Sequence, residues 1–432
     1  MTKLPVIAVF DIGKTNKKLF LFDQHYQLLW EKATSLPETV DDDEYPCEDV
    51  QLLTNWMRYV LRLALEEKEF EVKALNFSGY GASLVHVDAS GQPVAPLYNY
   101  LKPYPATLQQ KLHNQYGGQQ PFAMETASPA LGHLNSGLHL YWLQQQRPAI
   151  FEKTTWSLHL PQYLSFVFTG RACSDLTSIG CHTALWDFRT HQYHRWVVQE
   201  ELTSKLAPIA PTQQTHEVSW QGKRLLAGVG IHDSSAALVP YLLSQTQPFV
   251  LLSTGTWSIS LNPFSRSPLT IEDLEQDCLC YLSHQGKPVK ASRLFAGHHY
   301  EEKLKQLSEQ FHVEPAFFQK MPYNHYWANE QARLTSPELA YHRFIKSLAE
   351  QQIHSTRLVA GDVDVKRIFV DGGFSNNQVF MNLLAQSFPG KEVFAANVAQ
   401  ASALGAALVV HQAWNKEPIP GHLVQVRKYT GA

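Results

Sequence analysis

Four short stretches of this 432-residue chain carry side chains able to meet a phosphate, a metal ion and a reacting hydroxyl. In VFDIGKTNKKLFLFD, Asp11 closes an apolar run, and Gly13, Lys14, Thr15 and Asn16 make a small polar turn. A carboxylate there can reach a hydrated Mg²⁺, which commonly takes one or two carboxylates with phosphate oxygens and keeps its waters. The competing reading is an Asp that fixes its own turn, since Gly and Asn are ordinary turn residues. In STGTWSIS, Gly255 and Thr256 offer N–H and hydroxyl donors to a second phosphate. In GIHDSSAA, Asp233 follows an apolar strand and precedes a run of small residues. That position suits a general base for an alcohol attacking phosphorus, and equally an N-cap. In DGGFSNN, Gly372 and Gly373 with Asn376 and Asn377 make a flat backbone floor for a purine, or a tight turn with a capping Asn.

The elements that must hold these residues follow from periodicity. VIAVFD, KLFLFD and QLLWEKA alternate like strands and predict a three-stranded meander. Leu52, Leu53, Trp56, Met57, Val60, Leu61 and Leu65 recur at helical spacing behind Asp49, a predicted N-cap. ALNFSGYGASLVHVDASGQPV then reads as two strands around a glycine corner, with a turn at Asp88 to Gly91, which completes a βββαβ order. Residues 100–225 read as helices and loops, among them 138–148 and 160–170. PFVLLSTGTWSISLNPF repeats the opening strand, turn and strand, so the chain looks internally duplicated, and two similar domains facing each other would bring both turns to one cleft. Ser336 and Pro337 start a helix. RIFVDGGFSNN supplies a strand and paired glycines, followed by a helix at 378–387, a short strand around Val393 and a small-residue helix at about 398–411.

The bulk numbers exclude some functions. A chain of this length with 44% hydrophobic residues can bury two or three domain cores. A formal net charge of -3 predicts no nucleic-acid or anionic-membrane partner. The five cysteines are odd in number and scattered, which fits reduced thiols, and Cys278 and Cys280 are read as buried residues rather than metal ligands. No stretch is long enough to span a membrane and MTKLPVIAVF has no cleavage site, so a cytoplasmic location is expected. His298 and His299 are adjacent and point apart, which makes no metal site.

The order of the motifs resembles that of the FGGY carbohydrate kinases, of the actin, sugar kinase and chaperone ATPase superfamily. The resemblance rests on DIGKTNKK, LPQYLSFVFTG, GIHDSSAA, STGTWSIS, DGGFSNN and QASALGAAL, and covers nearly the whole chain. It implies an α/β fold of two ribonuclease-H-like domains around a central cleft, placed here at 1–229 for the sugar side and 230–432 for the nucleotide side. It also implies transfer of the γ-phosphoryl of ATP, with Mg²⁺, to a sugar or polyol hydroxyl. Carried over, Asp233 is the base and Asp11 the metal-side acid. Gly13, Lys14, Thr15, Asn16, Gly255 and Thr256 face phosphates, while Gly372, Gly373 and Asn376 line the adenosine pocket. Tyr80, Gly81, Tyr100, His232 and Asp233 face the sugar. A homodimer is left open.

HDSSAA and STGTWSIS look most like the rhamnulokinase branch, which implies a deoxy-ketose such as L-rhamnulose or L-fuculose. Xylulose, ribulose and glycerol kinases and a non-catalytic sugar-binding member are the alternatives. The sugar side departs from that branch: Tyr80 and Ser83 stand where rhamnulokinases place a Trp and an Asp, and Tyr98, Tyr100 and Lys102 stand near a usual aromatic, Asp and Arg. Lys14 replaces a usual small hydroxyl residue, either as a cation toward phosphate or as a surface lysine.

Overall fold

The expected meander is present as β1 (Leu4–Ile12), β2 (Lys17–Phe22) and β3 (Leu28–Thr34). The computed structural model describes residues 3–329, 336–361, 363–398 and 400–430. β1 and β2 run antiparallel, with Asp11 opposite Lys18 and Ile12 opposite Lys17. The helix α1 (Val50–Glu66) begins where Asp49 accepts a hydrogen bond from the Leu52 N–H. Its apolar stripe, Leu53, Met57, Val60 and Leu61, packs on Val6, Ala8 and Phe10 of β1 and on Phe77 of β4 (Phe70–Gly79). β4 runs parallel to β1, so Asp11 pairs with Ser78 and Ile12 with Gly79.

α2 (Leu160–Thr169) ends at Gly170, whose φ of 63° is the left-handed C-cap that glycine adopts without strain. It stacks Phe168 against Phe10 and Phe77, at 5.7 Å in each case. Two further strands, β5 (Thr215–Trp220) and β6 (Lys223–Gly228), form a hairpin that joins the sheet through β6 beside β4. The strands 215–220 and Trp156–His159, the latter paired with the expected strand Leu84–Val87, correct the expectation of helices and loops over 100–225. β5 was illegible because it is an edge strand with no fully buried residue, so its sequence lacks apolar contrast. The short strand Ile231–His232 then pairs with Ser78 and Gly79 and leads into α3 (Asp233–Ser244).

The second sheet repeats the plan. β7 (Phe249–Thr254) and β8 (Ser258–Asn262) are the predicted duplicate hairpin. β9 (Cys278–Leu282), β10 (Pro288–Leu294), β11 (Arg367–Gly372), β12 (Glu392–Asn397) and β13 (Gln425–Tyr429) complete the order β9-β10-β8-β7-β11-β12-β13. Reading outward from β7, antiparallel neighbours lie on one side. Two parallel strands and a final antiparallel one lie on the other. Around β1 the first sheet has the same sequence of pairings, β5-β6-β4-β1-β2-β3, which supports duplication at the level of strand order.

Helices α4 (Ala296–Phe311) and α5 (Pro337–Ala360) precede β11, and α6 (Gln378–Ser387) follows it. The Ser336 side chain accepts from the Leu339 N–H, with Pro337 at the first helical position. The small-residue helix α7 (Ala401–Val409) is shorter than expected, since Gln400 turns left-handed at its start. By internal contacts α7 belongs with the N-terminal part of the chain. One compact unit comprises Met1–Pro240, Cys280–Pro288 and Gln400–Gly421, and the other Tyr241–Leu279, Val289–Ala399 and His422–Ala432. Within the first unit the Asn76 side chain on β4 donates to the Ala406 carbonyl of α7 at 2.7 Å. A Cβ at Gly405 would stand 1.8 Å from the Ala236 carbonyl oxygen of α3, so only glycine permits this approach.

Candidate active site

In the first unit β1, β4 and the strand Ile231–His232 are parallel and end side by side. The carboxyl ends of parallel strands in open α/β sheets are where ligands bind. Asp11 and Asp233 stand at these ends. Asp11 Oδ1 accepts from the Ser402 hydroxyl of α7 at 2.9 Å. Burial pushes its pKa up to about 6, the Asp233 charge adds to the rise, and the hydroxyls of Ser402 and Ser78 and the Lys18 ammonium oppose it. A desolvated carboxylate next to a second one, with the hydroxyls of Ser402 and Ser78 beside it, fits a hard divalent cation such as Mg²⁺.

Asp233 is the first residue of α3, an acid in the first turn, and its Oδ1 accepts from the Ser234 N–H at 2.6 Å. Burial also raises this carboxyl to about 6, although a third of the side chain stays open to solvent. Asp233 thus sits inside the first turn rather than at the N-cap, and its helix-start position leaves the base reading in place. His232 Nε2 lies 3.3 Å from the same oxygen. Burial drives the imidazole pKa down to about 3, so the ring is neutral at ordinary pH. Its Nδ1 is buried with no hydrogen-bond partner among the described residues. With Nε2 turned toward Asp233, Nδ1 is the buried acceptor of the neutral ring. Gly81 makes room for this ring, since a Cβ there would lie 2.8 Å from Nε2 and 3.0 Å from Cys181 Sγ.

The other expected sugar-side residues are engaged internally. The Tyr80 hydroxyl donates to Glu48 Oε1 at 2.8 Å, and its ring meets Tyr100 edge-on at 5.9 Å. Both tyrosines are buried. Tyr80 thus presents ring rather than hydroxyl. Tyr98 donates to Asp42 at 3.2 Å, and Lys102 bonds Asp41 and Asp43 at 2.6 and 2.7 Å.

The first turn is closed by the Gly13 N–H, which donates to the Asn16 carbonyl at 3.0 Å, and Thr15 and Asn16 are exposed. Lys14 pairs with Glu38 at 3.0 Å and Glu48 at 3.4 Å. Lys17 and Lys18 were missed as individual residues. The period-2 alternation of β2 sends them to opposite faces, and it could have flagged Lys18 as the neighbour of Asp11.

In the second unit Gly255 and Thr256 are exposed, and the Gly255 N–H donates to the Trp257 carbonyl at 2.9 Å. The start of α4 sits on this turn: Gly297 and His298 N–H donate to the Thr256 carbonyl at 3.2 and 3.3 Å. Gly372 has a φ of 86°, and a Cβ would fall 1.9 Å from the Thr254 carbonyl oxygen. Gly372, Gly373 and Asn376 are exposed, whereas the Asn377 side chain is occupied in capping α6. Asp371 was also missed. It accepts from Tyr241 at 3.0 Å and from the Gly372 N–H at 2.8 Å, and burial pushes it up to about 6. Its strand neighbour is Ser253, whereas in the first sheet Asp11 neighbours Ser78. The duplicate sheets therefore carry the acid on opposite members of an equivalent strand pair, a signal available once the two hairpins are aligned.

Family comparison decides the ancestry. The FGGY carbohydrate kinase N-terminal domain matches residues 6–220 and the C-terminal domain residues 246–418. The chain belongs to the FGGY family of carbohydrate kinases. It is similar to the rhamnulokinase of Halalkalibacterium halodurans, with 22% identity over 262 residues, 57% of this chain and 52% of that protein. The alignment thus spans about half the length of this curated relative. Among solved structures, a carbohydrate kinase from Novosphingobium aromaticivorans superposes with a TM-score of 0.76 at 22% identity, over 98% of this chain and 95% of the other. Xylulose kinase from Lactobacillus acidophilus superposes with a TM-score of 0.82 at 14% identity, over 98% and 93%. The two-domain sugar-kinase fold expected from the motifs is the fold of this FGGY member. Among the described residues no helix is long and apolar enough to cross a membrane.

Proposed function

We propose that this FGGY member is a cytoplasmic kinase that transfers the γ-phosphoryl group of ATP to a hydroxyl of a ketose, with a deoxy-ketose such as L-rhamnulose or L-fuculose as first choice. The observation that carries the reading is Asp233, a carboxylate raised to about 6 at the end of a parallel strand, beside a neutral histidine. A base with a pKa near the working pH is ionised often enough and still takes a proton well. Asp233 removes the hydroxyl proton as the substrate oxygen bonds to the γ-phosphorus. The bond to the β,γ-bridging oxygen breaks and ADP leaves. His232, whose Nε2 lies beside Asp233, helps to orient the bound sugar. Gly81 is needed for the imidazole to sit there.

Asp11 would hold Mg²⁺, which supplies charge neutralisation on the phosphates. The turns at Gly13 to Asn16 and at Gly255 and Thr256 offer donors to the phosphates, and Gly372, Gly373 and Asn376 the floor for adenosine. In this reading residues 1–229 serve the sugar and 230–432 the nucleotide. The rhamnulokinase relative favours a deoxy-ketose, and the xylulose kinase likeness keeps xylulose as the second reading. The test is ADP release from Mg·ATP over a panel of ketoses, aldoses and polyols. A deoxy-ketose is expected to give the highest kcat/KM. If no acceptor stimulates ADP release, the kinase reading fails.

A further inference from the structure

Lys17 is the unusual residue of the first turn. It is an ammonium only 2% exposed, at the start of a strand whose next lysine stays accessible. Its Nζ donates to the carbonyls of Gly13 at 2.9 Å and Lys14 at 2.8 Å, and pairs with Glu48 Oε2 at 2.8 Å. All three of its protons have partners. The other oxygen of Glu48 accepts from the Tyr80 hydroxyl at 2.8 Å, and Tyr80 rests edge-on against Tyr100. One buried carboxylate thus links the turn at residues 13–16 to the tyrosine corner beside Gly81.

We propose that Lys17 and Glu48 are positioning residues that set the amide donors of the first turn toward the phosphates of the nucleotide, and that Glu48 ties this setting to the Tyr80 corner. The argument rests on the kinase reading above. In a trans peptide the C=O and the N–H point opposite ways, and the chain has no cis peptide among its described residues. Drawing the Gly13 and Lys14 oxygens onto Lys17 therefore turns the Lys14 and Thr15 N–H groups away from it. The Gly13 N–H is used inside the turn. Successive outward amides of this kind form an anion-binding concavity. Free carbonyls would rotate and let the amides scatter. Glu48 keeps Lys17 in place, and the Tyr80 hydroxyl fixes the carboxylate that does so.

The experiment compares Mg·ATP and adenosine, which lacks phosphates, as ligands of the full chain by titration calorimetry. Lys17→Met alone takes the nearest cation from a buried carboxylate, leaving it only Lys14 at 3.4 Å and the Tyr80 hydroxyl, and destabilises the fold. The informative variants are therefore Tyr80→Phe, which removes one hydroxyl, and the double change Lys17→Met with Glu48→Gln, which removes both charges. Charge-assisted hydrogen bonds of this kind correspond to about tenfold to a hundredfold in affinity. The expected result is Mg·ATP binding weakened about tenfold or more in the double variant and severalfold in Tyr80→Phe, with adenosine binding unchanged. A merely structural role would lower both ligands together. Unchanged Mg·ATP affinity, or equal loss for both ligands, overturns the inference while the kinase reading stands. Wild-type protein that binds neither ligand overturns the kinase reading and the inference with it.

Discussion

Replacing Asp233 with Asn should lower activity and raise stability at the same pH. The carboxyl is moved by burial from 3.8 to about 6. A shift of that size in a sealed site would correspond to ~3 kcal/mol of unfavourable burial of the charged form. With 34% of the side chain exposed, solvent screening reduces this to ~1 kcal/mol. The sign follows from linkage. The folded pKa lies above the unfolded one, so the folded state holds its proton longer and the penalty is absent below about pH 4, grows between about pH 4 and 6, and is complete above that. Asn keeps an oxygen to accept from the Ser234 N–H at the helix start. Asp233→Asn should therefore unfold at a higher urea concentration than wild type at pH 8, by ~1 kcal/mol, and show no advantage at pH 4. Sugar phosphorylation should fall ~10²–10⁴-fold. Wild-type activity should drop as pH falls through about 6, where Asp233 and Asp11 take up protons together. Activity within tenfold of wild type, or lower stability of the variant at pH 8, would refute the reasoning.

Three further outcomes are expected. Asp11→Asn should raise the Mg²⁺ concentration for half-maximal activity by at least about tenfold, because losing even an outer-shell partner of a metal costs that much; an unchanged requirement would remove Asp11 from the metal. Gly81→Ala should raise the sugar KM about tenfold and leave the ATP KM alone, because the added methyl displaces His232 from its place beside Asp233; steady-state kinetics in both substrates separate the two. Tyr241→Phe deprives Asp371 of its hydroxyl donor and should lower the unfolding free energy from urea titration by about 1–3 kcal/mol at pH 8. The loss should shrink at pH 5, where Asp371, raised to about 6, is protonated.

Elements with strong local signals were legible in the sequence. Asp49, Ser336 with Pro337 and Asn377 each cap the helix that periodicity placed behind them. The two hairpins with exposed polar turns were visible as a repeat. What stayed hidden depends on long-range pairing. Alternation tells that Lys17 and Lys18 face apart, yet nothing local says that Lys17 is buried against Glu48, which arrives on the short strand Pro46–Glu48. The Tyr80 hydroxyl was read as open to a ligand because its acceptor lies elsewhere in the chain. The final strand, Gln425–Tyr429, was missed for the same reason as 215–220: an edge strand with an exposed face carries little apolar contrast.

The contact of α7 with β4 joins Asn76 to a carbonyl 330 residues later in the chain. At ~5–20 residues per second of synthesis, β1 and β4 wait roughly 15–70 s for the helix that covers them and brings Ser402 to Asp11. During that time their apolar face is open to chaperones or to other nascent chains. Fragments ending near residue 230 would leave that face bare for good, so folding of the N-terminal unit is a late event set by the ribosome's progress to α7.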